Sequence, residues 1–282
     1  TIATPSDAYL FAKGQPIDIF GKPVTIERPL DFSAVTDHAE LIGEMYTIQN
    51  PDAPRHKRLV PRFFRGIYKT DNSLGVDTSR QKFILNQVFK IGMKKSPSHP
   101  IFFAGYSTTQ SAWDINTQAA EQHYVPGEFT TFAGYEWTLT EGGGHRHRNI
   151  IFKDMNIPAY PMSSLELTNE HELWLYLDSI TNKGATVMAI PHNTNLAEGT
   201  SFQETKSDGS AMDKAYAQLR QDYEPLIEVH QVKGNSEVHA AFWKNDEFAD
   251  FENYAGIKAY ENNFVRYGLK KGLEIESEIG AN

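Results

Sequence analysis

The stretch Asp31-Phe32-Ser33-Ala34-Val35-Thr36-Asp37-His38-Ala39-Glu40 decides how the rest of the chain is read. Four mostly apolar residues, Phe32 to Val35, run straight into two carboxylates and an imidazole. A buried parallel strand has this pattern when it delivers ligands or catalytic groups from its C-terminal end. Neutral imidazole with carboxylate is the usual donor set for zinc, manganese or iron. Similar arrangements recur downstream. The strand Phe129 to Tyr135 ends at Glu136, His145-Arg146-His147 enters a strand over Asn149 to Phe152, and Ala185 to Ile190 ends in Pro191-His192-Asn193.

Outward from these strands the chain alternates with helices. Thr4, Pro5 and Asp7 are the signature of a helix start, and Gly14 closes that helix. Ile17 to Ile26, around Phe20-Gly21-Lys22-Pro23, reads as a hairpin. Helices are expected over Gln81 to Lys90, Gln110 to His123, Asn169 to Ile180 (Asn169 and Glu172 at capping-box spacing), Ser210 to Tyr223 and Asn262 to Ile279. Leu226 to Val232 is expected to be a strand carrying Glu228 and His230 on one face, where they could be core-edge polar residues. Residues from about 46 to 106, broken by Pro51, Pro54, Pro61, Pro97 and Pro100, read as a surface insertion. Alternation of strand and helix points to an α/β parallel sheet or barrel.

Composition narrows the function classes. The 282 residues are 40% hydrophobic, enough for a sizeable core. A net charge of -9 argues against nonspecific binding to nucleic acid or an anionic membrane, though not against a local basic pocket. There is no cysteine, so any transition metal must be held by nitrogen and oxygen. No stretch approaches the roughly 20 apolar residues of a membrane span. Gly142-Gly143-Gly144 lacks the strand-to-helix setting of a phosphate loop, and no Gly-x-Ser-x-Gly elbow occurs.

Each candidate has a bland reading. His38 could cap the helix after its strand, and Glu136 could pair with Arg146. His145 and His147 alternate with Arg146 and Arg148 as a solvated basic edge would, yet residues at i and i+2 share a strand face and could line one cleft. His192 could be a turn histidine, although Pro191 stiffens its approach. His56, His99, His123, His171 and His239 have no donor neighbours and read as surface residues.

Taken together, the segments resemble a known family. Leu30 to Glu40 is similar to the second motif of the polymerase-and-histidinol-phosphatase (PHP) superfamily of metal-dependent hydrolases, and more narrowly to the branch called domain of unknown function 3604. Gly134-Tyr135-Glu136-Trp137-Thr138 resembles that branch's glutamate motif, and Gly144 to Phe152 its next histidine motif. Pro191 to Asn195, Glu228 to Glu237 and Asn245 to Glu252 match as well. The resemblance implies a single domain over residues 1–282, a distorted (β/α)7 TIM-like barrel with a two- or three-metal centre of zinc or manganese, or of iron. His38, Glu136, His147 and His192 would be the ligands. Asp37 and His145 would be catalytic neighbours, and Asn193, Arg146, Lys233 and Glu237 would face substrate. The superfamily's opening His-x-His and closing Asp-x-His motifs are not among these residues. The expectation is therefore the central portion of a longer protein, with an incomplete barrel and an incomplete metal site.

The implied activity is hydrolysis of a phosphoester, or a related ester such as a sulfate, by metal-bound hydroxide, with a small anionic substrate and no nucleic-acid or membrane partner. The alternative is a non-catalytic metal- or ligand-binding barrel. Resemblance to the branch favours a periplasmic or exported location.

Overall fold

The computed structural model describes residues 3–19, 21–62, 98–99, 103, 105–140 and 143–281. They form two compact units, and the division passes through two strands, after Tyr135 and after Ile150. The expected helix over Gln81 to Lys90 and most of the expected insertion lie outside the described residues.

The first unit opens with α1 (Pro5–Ala12). Its capping box forms as the sequence predicts: the Thr4 hydroxyl accepts from the Asp7 backbone N–H, and the Asp7 carboxylate accepts from Thr4. Strands β1 (Ile17–Ile19) and β2 (Lys22–Val24) make the antiparallel hairpin. Its turn contains Gly21 at a φ of 79°, a backbone that glycine adopts without a Cβ penalty. Strand β3 (Phe32–Val35) then runs parallel to β4 (Thr130–Leu139), with Phe32 opposite Thr130 and Val35 opposite Ala133.

Two helices pack nearby, α2 (Ile42–Gln49) and α3 (Tyr106–His123). At Gly43 of α2, a Cβ would lie 2.8 Å from the Thr109 backbone nitrogen of α3, so only glycine lets the helices approach this closely. Tyr9, Ala12, Ala119, Ala120 and Phe129 form the core, with Val35 and Val125 against it. The Tyr9 hydroxyl accepts from the Val35 N–H and donates to the Phe132 carbonyl, both at 3.2 Å. The core thereby fixes β3 and β4 through a hydrogen bond on each strand.

The second unit takes in the rest of β4, most of β5 (Arg146–Phe152), α4 (Glu170–Thr181), β6 (Val187–His192), α5 (Lys214–Tyr223), the short antiparallel pair β7 (His230–Gln231) and β8 (Gly234–Asn235), and α6 (Val265–Ile279). Asn169 caps α4 by accepting from the Glu172 N–H at 3.0 Å, while the Glu172 carboxylate turns to the Thr168 N–H instead of completing a box. Trp137, Leu173, Trp174, Leu177 and Ala189 are buried here, and the Trp137 indole donates to the Leu167 carbonyl at 3.2 Å.

The expected (β/α)7 barrel does not form. Strands β3, β4, β5 and β6 make a four-stranded sheet in that order, with no closure among the described residues. Two physical reasons account for this. First, β4 and β5 are neighbours joined only by Thr140 to His145, too short for a parallel crossover, so they form an antiparallel pair and the sheet is mixed. Second, the expected strand over Leu226 to Val232 contributes only the two residues of β7, which pair locally with β8. Leu226, Val229 and Val232 are exposed, Val232 at 97%, where a central barrel strand would bury them. Glu136 is also displaced from expectation: β4 continues through Leu139, so this residue sits inside the strand and not at its tip.

Candidate metal centre

Within the second unit, three strands position a cluster of nitrogen and oxygen donors. Glu136 and Thr138 are two apart on β4 and share a face, while Trp137 between them turns into the core with no exposed surface. His147 lies on β5 and His192 is the last residue of β6, and both are buried. His145 just precedes β5, where its N–H donates to the Leu196 carbonyl at 3.1 Å.

The contacts are specific. His147 Nδ1 lies 2.5 Å from Glu136 Oε1 and 3.0 Å from the Thr138 hydroxyl, which itself donates to Glu136 Oε1 at 3.1 Å. His147 Nε2 faces His145 Nδ1 at 3.2 Å, and the two rings stack with 7° between their planes. His192 Nε2 faces Glu136 Oε1 at 3.2 Å, and its Nδ1 is 3.3 Å from the Ile190 carbonyl.

The Ile190 carbonyl only accepts, so His192 Nδ1 donates to it, and the other ring nitrogen, Nε2, is turned to Glu136 Oε1. Donating one ring nitrogen to a carbonyl and offering the other to a donor cluster is the arrangement that supports a histidine metal ligand. Spacing agrees with this. Zinc–nitrogen distances of about 2.0–2.1 Å set two ligand atoms of a tetrahedral site about 3.3 Å apart. The His192–Glu136 pair stands at 3.2 Å. The 2.5 Å contact between Glu136 and His147 is too short for such an edge and is an orienting hydrogen bond. Glu136 and His147 thus belong to a His and Glu group that could hold a metal ion.

The segment after His192 is held in place by amide side chains. Thr194–Leu196 is a 3-10 turn, Asn195 donates to the Lys233 carbonyl at 3.0 Å, and Asn263 donates to the Asn195 carbonyl at 3.3 Å. Asn193 stands out. It is fully buried, has a left-handed backbone (φ 57°, ψ 34°), and neither its amide nitrogen nor its oxygen has a hydrogen-bond partner. Both the strain and the desolvation oppose folding.

Of the other expected site residues, His38 and Asp37 follow β3 in the first unit; both are exposed, and His38 Nδ1 is 3.8 Å from the Glu40 carboxylate. Arg146 is next to His147 on the strand and so turns to the opposite face, where it pairs with Glu170 at 3.0 Å. Lys233 is exposed in the β7–β8 turn, and Glu237 pairs with Arg266 at 3.0 Å. Thr138 was not singled out from the sequence, although its place two residues after Glu136 was a sufficient signal. Some surface expectations also shift: His99 bonds the buried Glu44 at 2.6 Å, and His123 bonds Ser6 and stacks on Tyr9.

A family profile described as "Protein of unknown function (DUF3604)" matches residues 1–282. The chain belongs to this family. No curated protein and no solved structure matches it. No helix among the described residues is long and apolar enough to cross a membrane.

Proposed function

We propose that this protein is a metal-dependent hydrolase of phosphoesters, with the chemistry of the polymerase-and-histidinol-phosphatase superfamily. The observation carrying this reading is a cluster of imidazoles around one carboxylate oxygen, with His147 Nδ1 and His192 Nε2 lying 2.5 and 3.2 Å from Glu136 Oε1. In the proposal Glu136, His147 and His192 hold a divalent metal, zinc or manganese, with His38 kept as a further ligand by resemblance. Such an ion supplies a water acidified towards a pKa of about 7 and neutralises oxyanion charge.

The chain's own residues do the positioning. Glu136 and Thr138 orient His147 through Nδ1, which leaves Nε2 as its donor atom. His145, with Nδ1 beside that atom, can accept or return a proton, and Asp37 is proposed as a further catalytic neighbour by resemblance. Asn193 follows His192 directly, and its unpartnered amide would bond the substrate's oxygens. Lys233 and Glu237 are proposed as outer substrate contacts. A small anionic substrate and an exported location belong to the same proposal.

Hydrolysis of p-nitrophenyl phosphate with added manganese or zinc tests the reading. We expect metal-dependent turnover that falls at least 100-fold in Glu136→Gln and His192→Ala. Turnover that ignores chelator, or survives both substitutions, overturns it. Bound metal without turnover on any phosphate or sulfate ester supports the non-catalytic binding reading instead.

A further inference from the structure

A second constellation lies on the opposite face of β5 and takes no part in the metal cluster. Arg146 and Arg148 project there, the alternation of the strand having placed His147 on the other side. They line a cleft of about 320 Å³ together with Arg220 and Lys206, backed by Trp174 and Tyr216. All of these residues belong to the second unit.

The charges form one connected network. Arg146 pairs with Glu170 at 3.0 Å, and Arg148 reaches Glu170 at 3.5 Å and Glu224 at 2.9 Å. Arg220 pairs with Glu224 at 3.4 Å through Nε and lies over the Trp174 ring, 5.7 Å from its centre. Lys206 pairs with Asp213. Glu224 also accepts from the Trp174 indole at 2.8 Å. Arg148 and the Glu224 side chain are both nearly inaccessible. Among the described residues, the cleft lining carries four cationic side chains and one carboxylate, Glu170. The two terminal amino groups of Arg220 bond no described residue.

We infer that this cleft is a binding site for a tetrahedral oxyanion, a phosphate or sulfate group, separate from the metal cluster. An anion carrying several oxygens would meet this basic lining and take N–H donors from more than one guanidinium fork. Glu170 and Glu224 act as the frame that holds the arginines apart. The cleft is the right size for a small molecule bearing such a group. A planar carboxylate, with oxygens on one side only, satisfies fewer of these donors.

The test is isothermal titration of inorganic phosphate, sulfate and acetate into the chain in the presence of EDTA, with wild type, Arg220→Gln, Lys206→Gln and His147→Ala. Phosphate and sulfate should bind at one site per chain, at least tenfold tighter than acetate, and weaken as salt rises. Affinity should fall at least tenfold in Arg220→Gln, several-fold in Lys206→Gln, and not at all in His147→Ala. Circular dichroism establishes that each variant is folded. If Arg220→Gln does not fold, Lys206→Gln at the cleft's rim decides the matter in the same way. Absence of phosphate and sulfate binding, equal binding of acetate, or affinity unchanged in the folded cleft variants overturns the inference. Binding lost in His147→Ala places the anion at the metal cluster and also overturns it. Use of EDTA separates this outcome from any failure of the metal proposal.

Discussion

Nδ1 of His147 lies 2.5 Å from Oε1 of Glu136, and this contact joins two strands at the centre of the candidate site. It fixes which imidazole nitrogen is committed to the protein. Glu136→Gln keeps the shape but removes the charge, so His147 keeps only a neutral amide oxygen as its acceptor and the site loses its anionic oxygen donor. Metal affinity should fall about 10–100-fold, the usual effect of losing such a partner. Competition with a metallochromic chelator measures it, and an unchanged affinity would show that Glu136 has no part in the site.

Thr138 supplies a softer test of the same geometry. Thr138→Val preserves the β-branched shape at a position only 8% exposed but removes the hydroxyl bonded to Glu136 and His147. Metal affinity should drop by about tenfold, with a thermal midpoint in chelator within a few degrees of wild type. An effect on stability alone would make Thr138 a structural residue.

Asn193 should trade stability for function. Replacing it with glycine removes a buried amide that has no partner and relieves the left-handed backbone strain. We expect Asn193→Gly to be more stable than wild type without metal by about 1 kcal/mol, since strain and desolvation each cost about 1–3 kcal/mol and a cavity offsets part of the gain. Its phosphoesterase turnover should be lower. Urea denaturation and the esterase assay check the two halves, and a destabilised variant would mean that the amide serves packing.

How far these features were legible depends on the range of the interaction that made them. The α1 capping box, the β1–β2 hairpin and the Asn169 cap of α4 are written in residues a few positions apart, and each forms where the sequence places it. So do the buried strand segments that carry His147 and His192, because apolar runs bounded by polar residues specify them locally. The barrel was not legible in the same way. It required Leu226 to Val232 to pair with a distant strand, and nothing local distinguishes that run from the exposed segment it is. Thr140 to His145 being too short for a crossover was readable, and the resemblance to barrel proteins overrode it. At the site, convergence of Glu136, His147 and His192 was expected from the motifs. The pairing of Arg148 with Glu224 across 76 positions carried no sequence signal.

That pair yields a prediction about acid. Burial alone would raise the Glu224 carboxyl, but the Arg148 and Arg220 guanidiniums, with hydrogen bonds from Arg148 and Trp174, hold it below the ordinary value. A carboxyl depressed in the folded state adds stability above its unfolded pKa of about 4.3 and loses it as pH falls through the folded value. Glu224→Gln leaves Arg148 buried without that charge, which should cost about 3–5 kcal/mol at neutral pH. Its stability should also change less than that of wild type between neutral pH and pH 3. Urea midpoints across that range check both statements, and parallel curves for the two proteins would contradict the assignment.

The central claim is that three side chains from three strands of the second unit hold one metal centre. Elemental analysis of protein purified without chelator tests it most directly, on wild type and on Glu136→Gln, His147→Ala and His192→Ala shown to be folded. Wild type should carry close to a whole number of zinc, manganese or iron ions per chain, and each variant should lose most of that metal. Wild type free of transition metal after such purification and unable to take it up, or variants that keep their full complement, would contradict the account.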